Sequence, residues 1–145
     1  MAMKQWKTAL AAAVIALALA GGAPAAETSL KVSAAEVARG EVVFRENCQV
    51  CHGEKARGQD PAKPMGGQQA GGAYLAPALN GTGHTQHHKP DVLFGYLRNG
   101  SPDKASPMRS FKDKLSEADI KAVLGYVYSL WPEDVKQMYS HHMHH

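Results

Sequence analysis

Cys48 and Cys51 are the only thiols in the 145 residues, and His52 follows directly after the second of them. Two thiols at i and i+3 share one turn of chain and can add to the two vinyl groups of a single porphyrin, while the adjoining imidazole reaches its iron. The run Cys48-Gln49-Val50-Cys51-His52 is thus an attachment signature for haem c. Two other chemistries use a C-x-x-C pair. A redox dithiol needs no histidine at the next position and usually sits in a βαβ context, and a zinc centre of the cysteine-rich kind needs further thiols that this chain lacks. One covalent haem, with His52 as an axial ligand of its iron, is the expectation.

The iron needs a second ligand, or an open position if the protein binds gases or peroxide. Candidates are Met65, Met108, Met138, Met143 and the remaining histidines. Met108 lies in Ser106-Pro107-Met108-Arg109-Ser110-Phe111, a proline-stiffened stretch far along the chain from His52, and is the expected ligand. Met65 follows His52 by 13 residues in a glycine-rich stretch, and a methionine otherwise serves to fill irregular gaps in an apolar core. A labile Met108 would turn the reading into that of a haem peroxidase or a gas-binding protein, but no acid/base pair stands out to support it, because His84, His87 and His88 fall in a loop. His141, His142, His144 and His145, with Met138 and Met143 among them, suit copper or nickel. Such a tail reads equally as a tag remnant or a solvated end. His84, His87 and His88 could form part of a second site of that kind.

These residues must be positioned by the elements between them. Ser33-Ala34-Ala35-Glu36 matches a capping box and predicts a helix from about residue 34 to 47, ending at the cysteine motif. Val37, Gly40 and Phe44 share one face of it, Glu41 and Arg45 can pair on another, and Gly40 suggests a close helix crossing. From Gly53 to Ala78 the chain is rich in Gly, Pro, Gln and Ala and has no period. So long a loop in a compact domain needs something besides side-chain packing to organise it, and a large prosthetic group would serve. Pro90-Asp91 opens another helix that Asn99-Gly100 closes, and Ser101 to Lys114 form a second loop. Ser116 then caps a final helix whose Ile120, Val123, Leu124, Val127, Leu130 and Trp131 make the strongest apolar stripe, with Pro132 as its stop. No run alternates as a strand would, so the fold is expected to be all-α.

Lys4 and Lys7 precede an apolar run from Ala9 to Ala20 and the triplet Ala23-Pro24-Ala25, the grammar of a secretory signal peptide cleaved after Ala25. That run is short of the roughly 20 residues a membrane span needs, so no stable membrane insertion is expected after cleavage. The predicted organisation is a signal peptide at 1–25, one domain at 26–132 and a His/Met-rich tail at 133–145. Sixteen Lys and Arg against 13 Asp and Glu give +3, but the loss of Lys4 and Lys7 lowers this to +1, and no basic cluster remains. Nucleic acid is excluded as a partner on that ground.

Taken together, these residues resemble the class I mono-haem cytochromes c, particularly the small bacterial periplasmic ones. The similarity runs from Ser33 to Trp131. It rests on Gly40 and Phe44 ahead of the C-x-x-C-H run, Gly53 after it, Ala76-Pro77-Ala78-Leu79-Asn80-Gly81, Asn99-Gly100, Pro107-Met108 with Phe111, and the closing helix from Leu115. The resemblance implies that the first and last helices cross near Gly40 and Tyr126, that the Pro77 carbonyl accepts the other ring N–H of His52, and that Met108 is the sixth ligand. It further implies a monomeric periplasmic one-electron carrier, not an enzyme, that meets redox protein partners through small, weakly held interfaces. Arg109 would lie near the exposed cofactor edge. With two haem carboxylates added, the loaded protein is close to neutral, and partner choice falls to local patches.

Overall fold

The structure, a computed structural model, describes residues 30–143, with side chains to residue 141. The predicted signal segment and cleavage site, together with His144 and His145, lie outside the described residues. Helix α1 spans Ala34–Asn47, and its capping box closes in both directions: Ser33 Oγ accepts the Glu36 N–H, and the Glu36 carboxylate accepts the Ser33 N–H at 2.9 Å. A single further turn, α2 (Gln49–His52), carries the cysteine motif. Helices α3 (Pro90–Asn99), α4 (Glu117–Ser129) and α5 (Glu133–Met143) follow. The sheet is only a two-residue antiparallel pair, β1 (Gly67–Gln68) with β2 (Tyr74–Leu75), so the all-α expectation stands.

Helices α1 and α4 form the frame. At Gly40 a Cβ would fall 2.0 Å from the Ala122 carbonyl oxygen and 2.9 Å from the Tyr126 Cβ, so only a glycine lets the two backbones meet there. Beside this crossing the Phe44 and Tyr126 rings pack at 5.4 Å between centroids. Phe44, 1% exposed, contributes about 2–3 kcal/mol by leaving water. Ion pairs join the same helices at their rims: Arg39 to Asp119 at 2.7 Å and Lys121 to Glu36 at 3.4 Å. The Glu41–Arg45 pair that the spacing permits is not among the ion pairs of the described residues.

Helix α4 is buried nearly all round, beyond the stripe its sequence shows: Ala122, Gly125, Tyr126 and Tyr128 join Ile120, Val123, Leu124 and Val127. The reason is α5. Residues 133–143, set apart in the sequence only by their His and Met content, turn back as a helix whose Tyr139 is 6% exposed and packs at 5.0 Å from the Trp131 ring. Pro132 does end α4, yet it starts another helix instead of a solvated end.

The stretch from Gly53 to Ala78 is organised by its own backbone. Gly58 N–H donates to the His52 carbonyl at 2.7 Å, Gln59 N–H to Ala76 O at 3.1 Å, Ala78 N–H to Pro64 O at 2.9 Å and Leu79 N–H to Ala56 O at 2.8 Å. These bonds fold the loop on itself and deliver Pro77 to the cysteine motif.

Candidate functional site

The turn bearing the motif grows out of α1. Cys48 N–H donates to Phe44 O at 2.8 Å, and Cys51 and His52 N–H both return to Cys48 O. Cys48 and Cys51 therefore occupy one turn, the first half-buried and the second exposed. His52 is 8% exposed, and its Nδ1 meets the Pro77 carbonyl at 2.9 Å across 25 residues of chain. Facing a carbonyl, Nδ1 carries the proton, which leaves Nε2 with a free lone pair. Burial holds the imidazole pKa below its ordinary value, outweighing the Pro77 hydrogen bond, so the ring is neutral and able to ligate a metal.

Both cysteines and His52 line one cavity of about 480 Å³. Its walls are apolar: Phe44 from α1, Leu93 and Leu97 from α3, and Val123, Leu124 and Val127 from α4. Two methionines line it as well. Met65 belongs to the backbone pinned against Pro77, where Gly66, at φ 60, lies so close that a Cβ would fall 2.7 Å from the Pro77 nitrogen. Met108 belongs to a different segment, held to the end of α3 by Ser101 N–H donating to Met108 O at 3.2 Å and Phe111 N–H donating to Leu97 O at 2.8 Å. The two thioethers enter from separate parts of the chain, Met65 from the part that orients His52. Met65 is 56% exposed, whereas Met108 packs against the core.

The donor set matches what haem c requires: two thiols on one turn, a neutral buried imidazole, a thioether on a separately anchored loop and an apolar slot between them. The Cys48 thiol is pushed up to about 11, first by burial and then by the nearby Cys51. A redox dithiol works through a thiol with a lowered pKa, so this environment does not favour dithiol exchange. Among the described residues no group of three His, Cys, Asp or Glu side chains is placed to hold a separate metal ion. Of the tail histidines only His141 has a described side chain, and it is exposed.

Three further residues line the cavity beside the proposed haem ligands, and of these Tyr96 had no functional signal in the sequence. His84 and His88 flank a 3-10 turn, Thr85–His87, and both line the cavity, as does Tyr96 of α3. The histidines had pointed at most to a second metal site. Their rings instead pack edge to face at 5.5 Å, and His88 packs on Tyr96 at 5.4 Å. No periodicity marks such a turn, so only the folded chain shows where it lies.

Residues 35–127 match the family model described as cytochrome C oxidase, cbb3-type, subunit III. The chain is similar to the Cbb3-type cytochrome c oxidase subunit CcoP of Azospirillum sp. (strain B510), at 28% identity over 102 residues. That match covers 67% of this chain but 29% of the relative, so the chain spans under a third of that protein's length. No solved structure gives a significant match. Among the described residues no helix is long and apolar enough to cross a membrane.

Proposed function

The chain belongs to the cytochrome c oxidase, cbb3-type, subunit III family, a c-type cytochrome family, and on that premise we propose that it is an exported one-electron carrier with His52/Met108 ligation. The observation that carries this reading is the single cavity shared by Cys48, Cys51, His52 and Met108, with the His52 ring fixed by the Pro77 carbonyl. When bound, haem c supplies a one-electron iron couple. Cys48 and Cys51 would hold it covalently, and His52 Nε2 and the Met108 sulfur would ligate its iron. Pro77 keeps the His52 ring turned and its proton on Nδ1. Phe44, Leu97 and Val127 exclude water from the slot, which with the thioether ligand favours the reduced state.

Electrons cross to partners at the exposed side of the motif, where Cys51 is exposed and Val50 is 88% exposed. Arg109 at the cavity rim gives that surface a cation that suits an acidic patch on a partner. Redox proteins of a terminal oxidase complex are the partner class that the CcoP likeness favours. The predicted signal segment at 1–25 supports exchange in the periplasm. A copper-binding role for residues 141–145 rests on composition alone.

The test is the visible spectrum and mass of the loaded protein. One covalent haem per chain and a low-spin, Met-ligated spectrum are expected, and Met108→Ala should lose the Met-ligated character. An unchanged spectrum in Met108→Ala refutes the ligand assignment. High-spin haem in the resting protein, with rapid carbon monoxide binding when reduced, refutes the carrier reading in favour of gas or peroxide chemistry.

A further inference from the structure

Among the described residues, the His84–His88 pair is a titratable cluster on the cavity wall that the carrier mechanism leaves unused. Among the described residues His84 Nδ1 is buried without a hydrogen-bond partner. Leaving such a nitrogen unsatisfied is costly unless something in the cavity meets it. His88 is gripped from two sides, by the Tyr96 ring of α3 and by Tyr139 of α5, whose hydroxyl donates to the His88 carbonyl at 3.1 Å. The pair is therefore held in place beside the cofactor slot, with its imidazoles 5.5 Å apart.

We propose that His84 and His88 together form a proton-binding site whose occupancy follows the oxidation state of the cofactor in the cavity, so that the chain gains a proton as it gains an electron. This rests on the reading that the cavity holds haem. The balance is simple: one electron passes from the redox partner to the iron, and one proton passes from solvent to an imidazole nitrogen of the pair, with no bond broken. Oxidation returns both.

The direction follows from charge. The oxidised iron carries one more positive charge than the reduced iron, and a unit charge about 10 Å away at an effective dielectric of about 20 changes proton affinity roughly tenfold. Reduction raises the affinity of the pair. With the two imidazoles 5.5 Å apart, a charge on one disfavours a charge on the other. Burial, then the nearby His84 and His87, hold His88 below its ordinary pKa, which leaves the pair able to accept a proton. Of the other charged or titratable groups, His87 lies on the same turn, Tyr96 and Tyr139 contact His88, Lys89 and Asp91 follow it in sequence, and Cys48, Cys51, His52, Tyr74, Asp103 and Arg109 line the same cavity.

The experiment is the midpoint potential of the loaded protein from pH 5 to 9. Full coupling is one proton per electron, a tenfold change in equilibrium constant per pH unit, which is 59 mV for a one-electron couple. The potential should fall with rising pH by a substantial part of that slope between the pair's two pKa values. The slope should vanish in His84→Gln or His88→Gln and persist in the exposed His87→Gln. A pH-independent potential in a parent protein that carries one covalent low-spin haem overturns the proton site while leaving the carrier reading intact. Absence of covalent haem overturns the carrier reading first. A slope unchanged in both His84→Gln and His88→Gln also overturns the site. Should those variants fail to fold, histidine ring-proton titrations of the parent in each oxidation state decide it: equal pKa values for His84 and His88 in the two states refute the coupling, and higher values in the reduced state support it.

Discussion

Gly40→Ala tests the helix crossing that holds the cavity together. The added Cβ would lie 2.0 Å from the Ala122 carbonyl oxygen, where ordinary contacts begin near 3.4 Å, so α1 and α4 must part by more than an ångström. Both colliding groups sit on helix backbones, and no side chain can rotate away. Overpacking of this kind costs about 3 kcal/mol at the upper end of its usual range. Alanine returns about 1 kcal/mol of helix propensity, which leaves a net loss of about 2 kcal/mol. At about 4 °C per kcal/mol for a domain of this size, Tm should fall by about 8 °C. Thermal unfolding of the loaded protein, followed by far-ultraviolet circular dichroism, reads it. Gly95 in α3 is the control, because a Cβ there meets nothing within 4 Å, and Gly95→Ala should stabilise by up to about 1 kcal/mol. The sign carries the test: if Gly40→Ala also stabilises, propensity outweighs contact and the close crossing is wrong.

Ser116→Ala removes the cap of α4, whose Oγ accepts the Asp119 N–H at 3.1 Å, and should cost about 1 kcal/mol in denaturant unfolding. The Asp119 carboxyl is held below its ordinary 3.8, first by Ser116 and then by Arg39. A depressed folded pKa adds stability that is present above 3.8 and is lost as pH falls through the lower folded value, so Asp119→Asn should flatten the acid limb of the stability profile below about pH 4. An equally steep limb in that variant would assign the acid sensitivity elsewhere. Tyr139→Phe deletes the hydroxyl that donates to the His88 carbonyl and should lower stability by about 1 kcal/mol, measured by urea unfolding. No loss there would mean that α5 holds the His88 turn through ring packing alone.

Helices were the readable part of this chain because their signals are local. A capping box needs four residues and an apolar stripe needs one face, and both Ser33 and Ser116 cap where their spacing says they should. The stripe on α4 nevertheless understated its burial, since Gly125 lies against Val32 and Tyr128 packs on Tyr139 of α5. The stretch 53–78 had no readable pattern because backbone hydrogen bonds organise it, and these leave no trace in side-chain periodicity. Residues 133–143 read as composition, and only Tyr139 packing on Trp131 shows why they form a helix against the core.

The expectation of covalent chemistry came from sequence alone, because two thiols and an imidazole within five residues need nothing beyond one turn of backbone to reach a single porphyrin. The resemblance also pointed to Pro77 and Met108. Tertiary structure decided which groups share a space: the Pro77 carbonyl 2.9 Å from His52, Met108 entering from a segment separate from Met65, and His84 and His88 on the same wall. Spacing along a chain sets what neighbours in sequence can do together, whereas contact across 25 or more residues depends on how loops close, and loop closure is set by the hydrogen bonds and helix crossings of the whole fold.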